Sequence, residues 1–413
     1  MTNYSKKFVT AIATVAVVAN AFVPAAFAST TIQISGNGAE SENGAVVNNT
    51  QTTSVSQSNT ANFTNNVSGN ATTGNNDANK NTGGAVTVKT GDASVNNTVA
   101  NSANQNYANV SCNCNQGDTL VKVSGNGADS SNTANLNNVN NVNVGQGNNA
   151  DFNNHVWGTA QTGNNDANKN TGGNVSVETG DASVNNHVSN WANSNSAKVG
   201  GNGLGGNSMS LMIVGNGADS ENGILVNDIN SATVSQSNNA DFDNYVGGKA
   251  NSGDNDANKN TGGAVSIETG DASVDTSVDN MANFNWADLN CGCTFDGGLT
   301  VKVDGNGYDS ENTVNGNFIS NQVAGQGNNA DFNNHVKHLN AATGNNDADK
   351  NTGGVYDDPS IETGDASTGA DVSNTANLNS LGGNMPTMPS WNMGGVNLSI
   401  NFNLSQLLAA LGL

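Results

Sequence analysis

The sequence predicts an all-β protein: a β-solenoid, or β-helix, of four repeat units of about 90 residues behind a cleaved signal peptide. Three observations predict it. First, three landmarks recur in step. Gly36-Asn37-Gly38 returns at Gly125, Gly215 and Gly305. Asn81-Thr82-Gly83-Gly84 returns at Asn170, Asn260 and Asn351, and Thr90-Gly91-Asp92-Ala93-Ser94 returns at Thr179, Thr269 and Thr363. Second, the segments between landmarks alternate with a period of two, which is the side-chain period of a strand. Third, Asn makes up about a fifth of the chain, Gly contributes 50 residues, and no Pro occurs between Pro24 and Pro359. A continuous strand ladder avoids Pro, which lacks the N–H donor.

Residues 1–28 read as an export signal. Lys6 and Lys7 precede an apolar run from Phe8 to Ala19, and Ala26-Phe27-Ala28 is a small-x-small cleavage site. The rest divides into unit one (29–124), unit two (125–214), unit three (215–304), unit four (305–384) and an apolar C-terminal segment (385–413). Units one and three share Ser56-Gln57-Ser58-Asn59 and Ser235-Gln236-Ser237-Asn238. Units two and four instead carry Gly145-Gln146-Gly147-Asn148 and Gly325-Gln326-Gly327-Asn328, so the units alternate as A-B-A-B.

Within the units, every second residue from Ala61 gives Phe63, Asn65 and Val67. The matching positions are Ala150, Phe152, Asn154 and Val156; Ala240, Phe242, Asn244 and Val246; and Ala330, Phe332, Asn334 and Val336. One strand face is thus apolar plus a fixed Asn. Asn65, Asn154, Asn244 and Asn334 are expected to form a stacking ladder of side-chain amides. Further alternations are Ile32/Ile34, Val121/Val123, Leu211/Ile213 and Val301/Val303 before the Gly-Asn-Gly turns, then Val86/Val88, Val175/Val177 and Val95/Asn97/Val99. Gly, Asn and Asp clusters punctuate these runs as corners would. Read so, each unit holds about four coils, and sixteen coils stack into a rod of about 75 Å. Three extra residues around Tyr356-Asp357-Asp358-Pro359 read as a bulged loop in unit four.

The composition excludes much. With 34% hydrophobic and 11% charged residues, the chain falls below the roughly 45–50% and 25% of ordinary domains, so no large globular enzyme core is expected. There is no Arg, and 12 Lys face 34 acids for a net charge of −22, which excludes nucleic acid as a partner. The rival reading of a disordered polar chain is opposed by the period of two and the missing Pro.

The pattern Gly-Asn-x-Ala-x-x-x-Asn stands at 36–43, 125–132, 147–154, 215–222 and 327–334, with Gln57, Gln146, Gln236 and Gln326 close by. It resembles the curlin-type repeat, Gly-x-x-Asn-x-Ala followed by Gln. That resemblance implies an exported bacterial β-solenoid subunit that stacks into extracellular fibres. Asn replaces the second Gln of the pattern here, and the spacing between modules is irregular.

Among chemistry-bearing residues, Cys112, Cys114, Cys291 and Cys293 form two Cys-x-Cys pairs, expected to be disulfide-bonded in an exported chain. A zinc site is the rival reading. Asp77, Asp166, Asp256 and Asp347 recur in Asn-Asp-Ala turns, and Asp92, Asp181, Asp271 and Asp365 in Gly-Asp-Ala turns. Stacked turn oxygens are candidate Ca²⁺ ligands, the one cofactor considered. The bland reading is turn formation and solubility, with Lys80, Lys169, Lys259 and Lys350 as partial counter-charges. His155 and His335 occupy a position filled by Asn66 and Tyr245 elsewhere, a solvated face rather than a catalytic one, and no catalytic triad is spaced along the chain. Val396, Leu398, Ile400, Phe402 and Leu404 alternate with polar residues, as in a cap over the last coil or a strand donated to a second subunit.

The functional expectation is a non-enzymatic, secreted structural protein of the cell surface or extracellular matrix, with itself as partner in a fibre or surface layer. The alternative is a surface adhesin or Ca²⁺-dependent binding module that contacts other cell-surface components.

Overall fold

The structure is a computed structural model that describes residues 7–12, 29–111, 118–200, 208–290, 298–353, 359–383, 391–393 and 396–398. Unit one contributes β2 (Thr30–Ser35), β3 (Glu42–Thr72), β4 (Val86–Lys89) and β5 (Ala93–Val110), preceded by β1 (Lys7–Ile12). Unit two contributes β6 (Thr119–Ser124), β7 (Ser131–Gln161), β8 (Val175–Glu178) and β9 (Ala182–Val199). Unit three contributes β10 (Met209–Val214), β11 (Glu221–Asn251), β12 (Val265–Glu268) and β13 (Ala272–Leu289). Unit four contributes β14 (Leu299–Asp304), β15 (Glu311–Ala342), β16 (Ser360–Glu362) and β17 (Ala366–Leu381), followed by β18 (Trp391–Met393) and β19 (Val396–Leu398).

Each unit places one strand in each of four parallel sheets, ordered β2-β6-β10-β14, β3-β7-β11-β15, β4-β8-β12-β16 and β1-β5-β9-β13-β17. The fold is therefore a parallel β-solenoid, as the alternation predicts. The coil count differs from the sequence reading. One unit is one coil, so the solenoid has four wide coils rather than sixteen narrow ones. The pairing register shows why: Ala61 lies beside Ala150, Ala150 beside Ala240, and Ala240 beside Ala330. A coil closes where the chain meets its own pairing partner, and that happens once per unit. Not every Gly- and Asn-rich cluster is a corner: Gly145-Gln146-Gly147-Asn148 runs extended through the middle of β7. At about 4.8 Å per coil the stack is about 19 Å high, while β3 alone follows about 100 Å of extended chain.

The core lies between the long strand of each coil and the strand that returns across it. Val67, Val156 and Val246 meet Val99, Val188 and Val278. Phe152 and Phe242 meet the small side chains Ala103, Ala192 and Ala282. A large ring opposite a methyl keeps the gap thin and filled. The rings stack along the column, with centroids 4.8 Å apart for Phe63–Phe152, 4.7 Å for Phe152–Phe242 and 5.2 Å for Phe242–Phe332. Phe242→Leu removes two ring contacts from a fully buried position and should cost about 1–2 kcal/mol, read as a fall in the urea midpoint.

In unit four, β15 is one residue longer than its neighbours. The register slips between Val246 and Gly248, and His338 takes up the slack at a φ of 57°. The loop expected at Tyr356-Asp357-Asp358 lies outside the described residues, as do the cleavage site expected at residue 28 and positions Ile400, Phe402 and Leu404 of the C-terminal alternation.

Candidate functional site

The feature with chemistry of its own is the amide network inside the coils. Asn154 is fully buried on β7. Its Nδ2 donates to Asn244 Oδ1 in the next coil (2.8 Å) and across the gap to Asn190 Oδ1 (3.0 Å). Its Oδ1 accepts from Asn65 (2.8 Å) and Asn101 (2.9 Å). Both N–H groups and both lone pairs are used, the full capacity of a side-chain amide. Asn190, Asn244 and Asn280 continue the zigzag up to Asn334 and Asn374.

A second zigzag runs through Asn59, Asn106, Asn148, Asn195, Asn238 and Asn285 to Asn328 and Asn379. A third column, Asn104, Asn193, Asn283 and Asn377, sits at left-handed φ values of 63–65°. Each of its members donates to the next, at 3.0, 3.0 and 3.1 Å. All three networks point one way, with the donor in the lower unit and the acceptor in the higher one. Such chains polarise one another in a dry interior, which favours a uniform direction.

Sequence reasoning found the Asn65 column but not its partners Asn101, Asn190 and Asn280, nor the left-handed Asn104 column. The signal was present, since each recurs at the unit spacing. What was missing is which face of β5 meets β3.

The two Asp sets form in-register columns. Asp77, Asp166, Asp256 and Asp347 pair as isolated bridges. Asp92 Oδ1 accepts the backbone N–H of Asp181 (3.0 Å), Asp181 that of Asp271 (2.8 Å), and Asp271 that of Asp365 (2.8 Å). These carboxylates thus tie one coil's turn to the next. Among the described residues no group of three or more His, Cys, Asp or Glu is arranged to hold a metal ion. Cys112, Cys114, Cys291 and Cys293, expected to be disulfide-bonded, lie outside the described residues.

No protein-family model, curated protein or solved structure matches this chain.

The outer face carries its own columns. His155 stacks on Tyr245 with ring centroids 4.9 Å apart, in the column that also holds Asn66 and His335. His187 Nδ1 lies against Ser277 Oγ, and its Nε2 has no hydrogen-bond partner among the described residues. Asp151, Asp241, Asp243 and Asp331 border an open hollow of about 460 Å³. Partial burial, then the neighbouring charges of Asp331, Asp151 and Asp243, hold the Asp241 carboxyl above the usual carboxylate range.

A raised acid binds its proton more tightly in the folded state. Stability is therefore lost as pH rises from the ordinary carboxylate value through the folded one. Asp241→Asn should stabilise the protein at neutral pH by about 0.5 kcal/mol, a figure that allows for solvent screening of this mostly exposed group. That advantage should vanish in melts below the carboxylate range.

Proposed function

We propose that the chain is an exported structural protein of the cell surface or extracellular matrix that associates with itself into fibres or a layer. One observation carries this reading: unit four repeats the interior cross-section but leaves it uncovered. Val121 and Val123 are fully buried in unit two, whereas their counterparts Val301 and Val303 are 51% and 48% exposed. The other unit-four strands are open as well, with Phe318, Val323, Ile361, Val372 and Leu378 exposed. β14, β15, β16 and β17 each stand at the edge of their sheet, and β18 and β19 pair with each other. Uncovered edges of this length template further strands. The acidic surplus keeps the lateral faces apart, which leaves the coil ends as the sticky surface.

Electron microscopy of the chain recovered from the exported fraction of cells that make it tests this. Fibres or sheets with a repeat of about 4.8 Å in diffraction support it. Discrete particles that bind cells or glycans would instead support the surface adhesin.

A further inference from the structure

We infer that copies join head to tail, the unit-four coil of one chain receiving the unit-one coil of the next in the register already used inside the chain. This rests on the self-association proposed above and adds the polarity and the mating faces. Three independent features point to it.

The first is the direction of the amide networks. At the unit-one end, Asn65 donates to Asn101 and Asn154 and, among the described residues, has no lower coil to accept from. At the unit-four end, Asn374 accepts from Asn280 and Asn334 and, among the described residues, has no higher coil to donate to. In these three networks the unit-one end offers carbonyl oxygens and the unit-four end N–H groups, while the Gln57, Gln146, Gln236 and Gln326 column runs the opposite way, each Gln donating to the one in the unit below. Joining unit four to unit one continues every zigzag. Joining two like ends sets donor against donor or acceptor against acceptor, which leaves polar groups unpaired in a dry interface.

The second is charge. The column Lys89, Glu178, Glu268 and Glu362 carries its single cation at the unit-one end, where Lys89 pairs with Glu178. A head-to-tail junction sets Glu362 beside the next chain's Lys89. In the same junction Asp331 meets Asn62, where it meets Asp241 inside the chain. Lys302 meets Gln33 and Asp304 meets Ser35. Glu311 opposite Glu42, Asp347 opposite Asp77, Asp365 opposite Asp92 and Lys350 opposite Lys80 are like pairs, and the chain already tolerates their equivalents in Glu221 beside Glu311, Asp256 beside Asp347 and Asp271 beside Asp365.

The third is pattern. Unit four is of the B kind and unit one of the A kind, so this junction alone continues A-B-A-B.

The unit-one edge also accepts a strand in the required sense. β1 lies parallel to β5, Lys7 beside Asn97 and Ile12 beside Ser102. β1 falls within 1–28, read as the export signal, and the partner's β17 takes its place once that segment is removed. The other candidate for the unit-four end, the chain's own segment 385–413, has about a third of the residues of a coil and cannot complete all four sheets.

Two single variants test the junction, Asn66→Cys and His335→Cys. Both positions lie on the outer face, in the column that accommodates Asn, His and Tyr. One variant is isotope-labelled, the two are mixed in exported full-chain preparations, and a short thiol cross-linker is added. Linked peptides are then mapped by mass spectrometry, which separates them from links of the native cysteines. Head-to-tail contact sets positions 66 and 335 on neighbouring strands of two chains, about 4.8 Å apart. The expected result is a 66–335 link between labelled and unlabelled chains, at least about tenfold more abundant than 66–66 or 335–335. Dominant same-position links, or assemblies without a 66–335 link, overturn the polarity while leaving self-association standing. Chains that stay single and link nowhere overturn both. Glu362→Lys supplies a second readout: assembly should slow about tenfold at low salt and recover at high salt, where the charge is screened. An unchanged rate would contradict the Lys89 contact.

Discussion

Gly163→Ala should cost about 3–5 kcal/mol and open the stack locally around the second coil. Gly74, Gly163, Gly253 and Gly344 form a column in which backbone lies directly on backbone. A Cβ at Gly163 would fall inside the van der Waals radius of the Gly253 carbonyl oxygen. That oxygen cannot swing aside like a side chain, because it accepts the N–H of Asn164 at 3.0 Å. The methyl must displace the next coil's backbone, and ladder bonds on both sides lengthen with it, including Thr162 N–H to Asn251 O at 2.9 Å. The φ of Gly163 lies outside the left-handed region, so the cost is close approach rather than backbone strain.

Gly147→Ala is the matched control. Nothing lies within 4 Å of a Cβ at Gly147. Units one and three already carry Ser58 and Ser237 at that position. The control should be neutral or stabilise by a few tenths of a kcal/mol through the unfolded chain. Urea midpoints would rank the two variants. Amide exchange would localise the first, with protection lost near Asn164 and Asn165 before the rest of the array, as expected when each coil contacts only its neighbours. Equal midpoints for the two variants would refute the close-packed column.

That contrast shows what the sequence carries and what it withholds. The landmark spacing of 89 to 94 residues equals the pairing register along every sheet, so the order of the sheets follows from counting. The alternation at Ala150, Phe152, Asn154 and Val156 correctly separates the buried face from the exposed one. The size of the coil does not follow. Gly145 and Gly147 look like a corner, yet the inward Gln146 and Asn148 bond the ladder and hold the backbone extended through them. A Gly-rich cluster is a turn only if its backbone groups lack strand partners, and those partners lie 89 or 90 residues away. Likewise Asp92 reads as a metal-ligand candidate because it recurs in register as one of a stack of turn oxygens. Its partner is the Asp181 N–H, one coil on. Local chemistry was legible throughout; contacts between coils were legible only where identical residues stack on one another.

The amide network provides the second large effect. Asn154→Asp changes one atom and should destabilise the protein by about 4–5 kcal/mol at neutral pH. Asn65 and Asn101 lose nothing, because a carboxylate oxygen still accepts from them. On the other side, the N–H bonds to Asn190 and Asn244 disappear, and oxygen faces oxygen at what were bonds of 3.0 and 2.8 Å. The residue is wholly buried and its hydrogen-bond partners are neutral amides, so the charged form is strongly disfavoured and the carboxyl's pKa in the folded state rises. The penalty is therefore pH-dependent. It is largest where a free carboxylate is ionised, and it shrinks as pH falls through the raised folded value towards the unfolded value near 4. Protonation removes the charge and restores one of the two donors.

The chain itself supplies the comparison. The outward neighbour is Asn153 in unit two, Asp243 in unit three and Asn333 in unit four, while the inward column reads Asn65, Asn154, Asn244 and Asn334 without exception. Asn153→Asp should accordingly shift the urea midpoint by less than about 0.5 kcal/mol in equivalent stability. If the two Asp variants unfold alike at pH 7, or if the Asn154 variant gains no stability on acidification relative to the parent, the buried amide is not the element that binds one coil to the next. A residue that tolerates no carboxylate next to one that does is what a directional ladder requires. In a composition with so few apolar side chains, that ladder does much of the work a hydrophobic core would otherwise do.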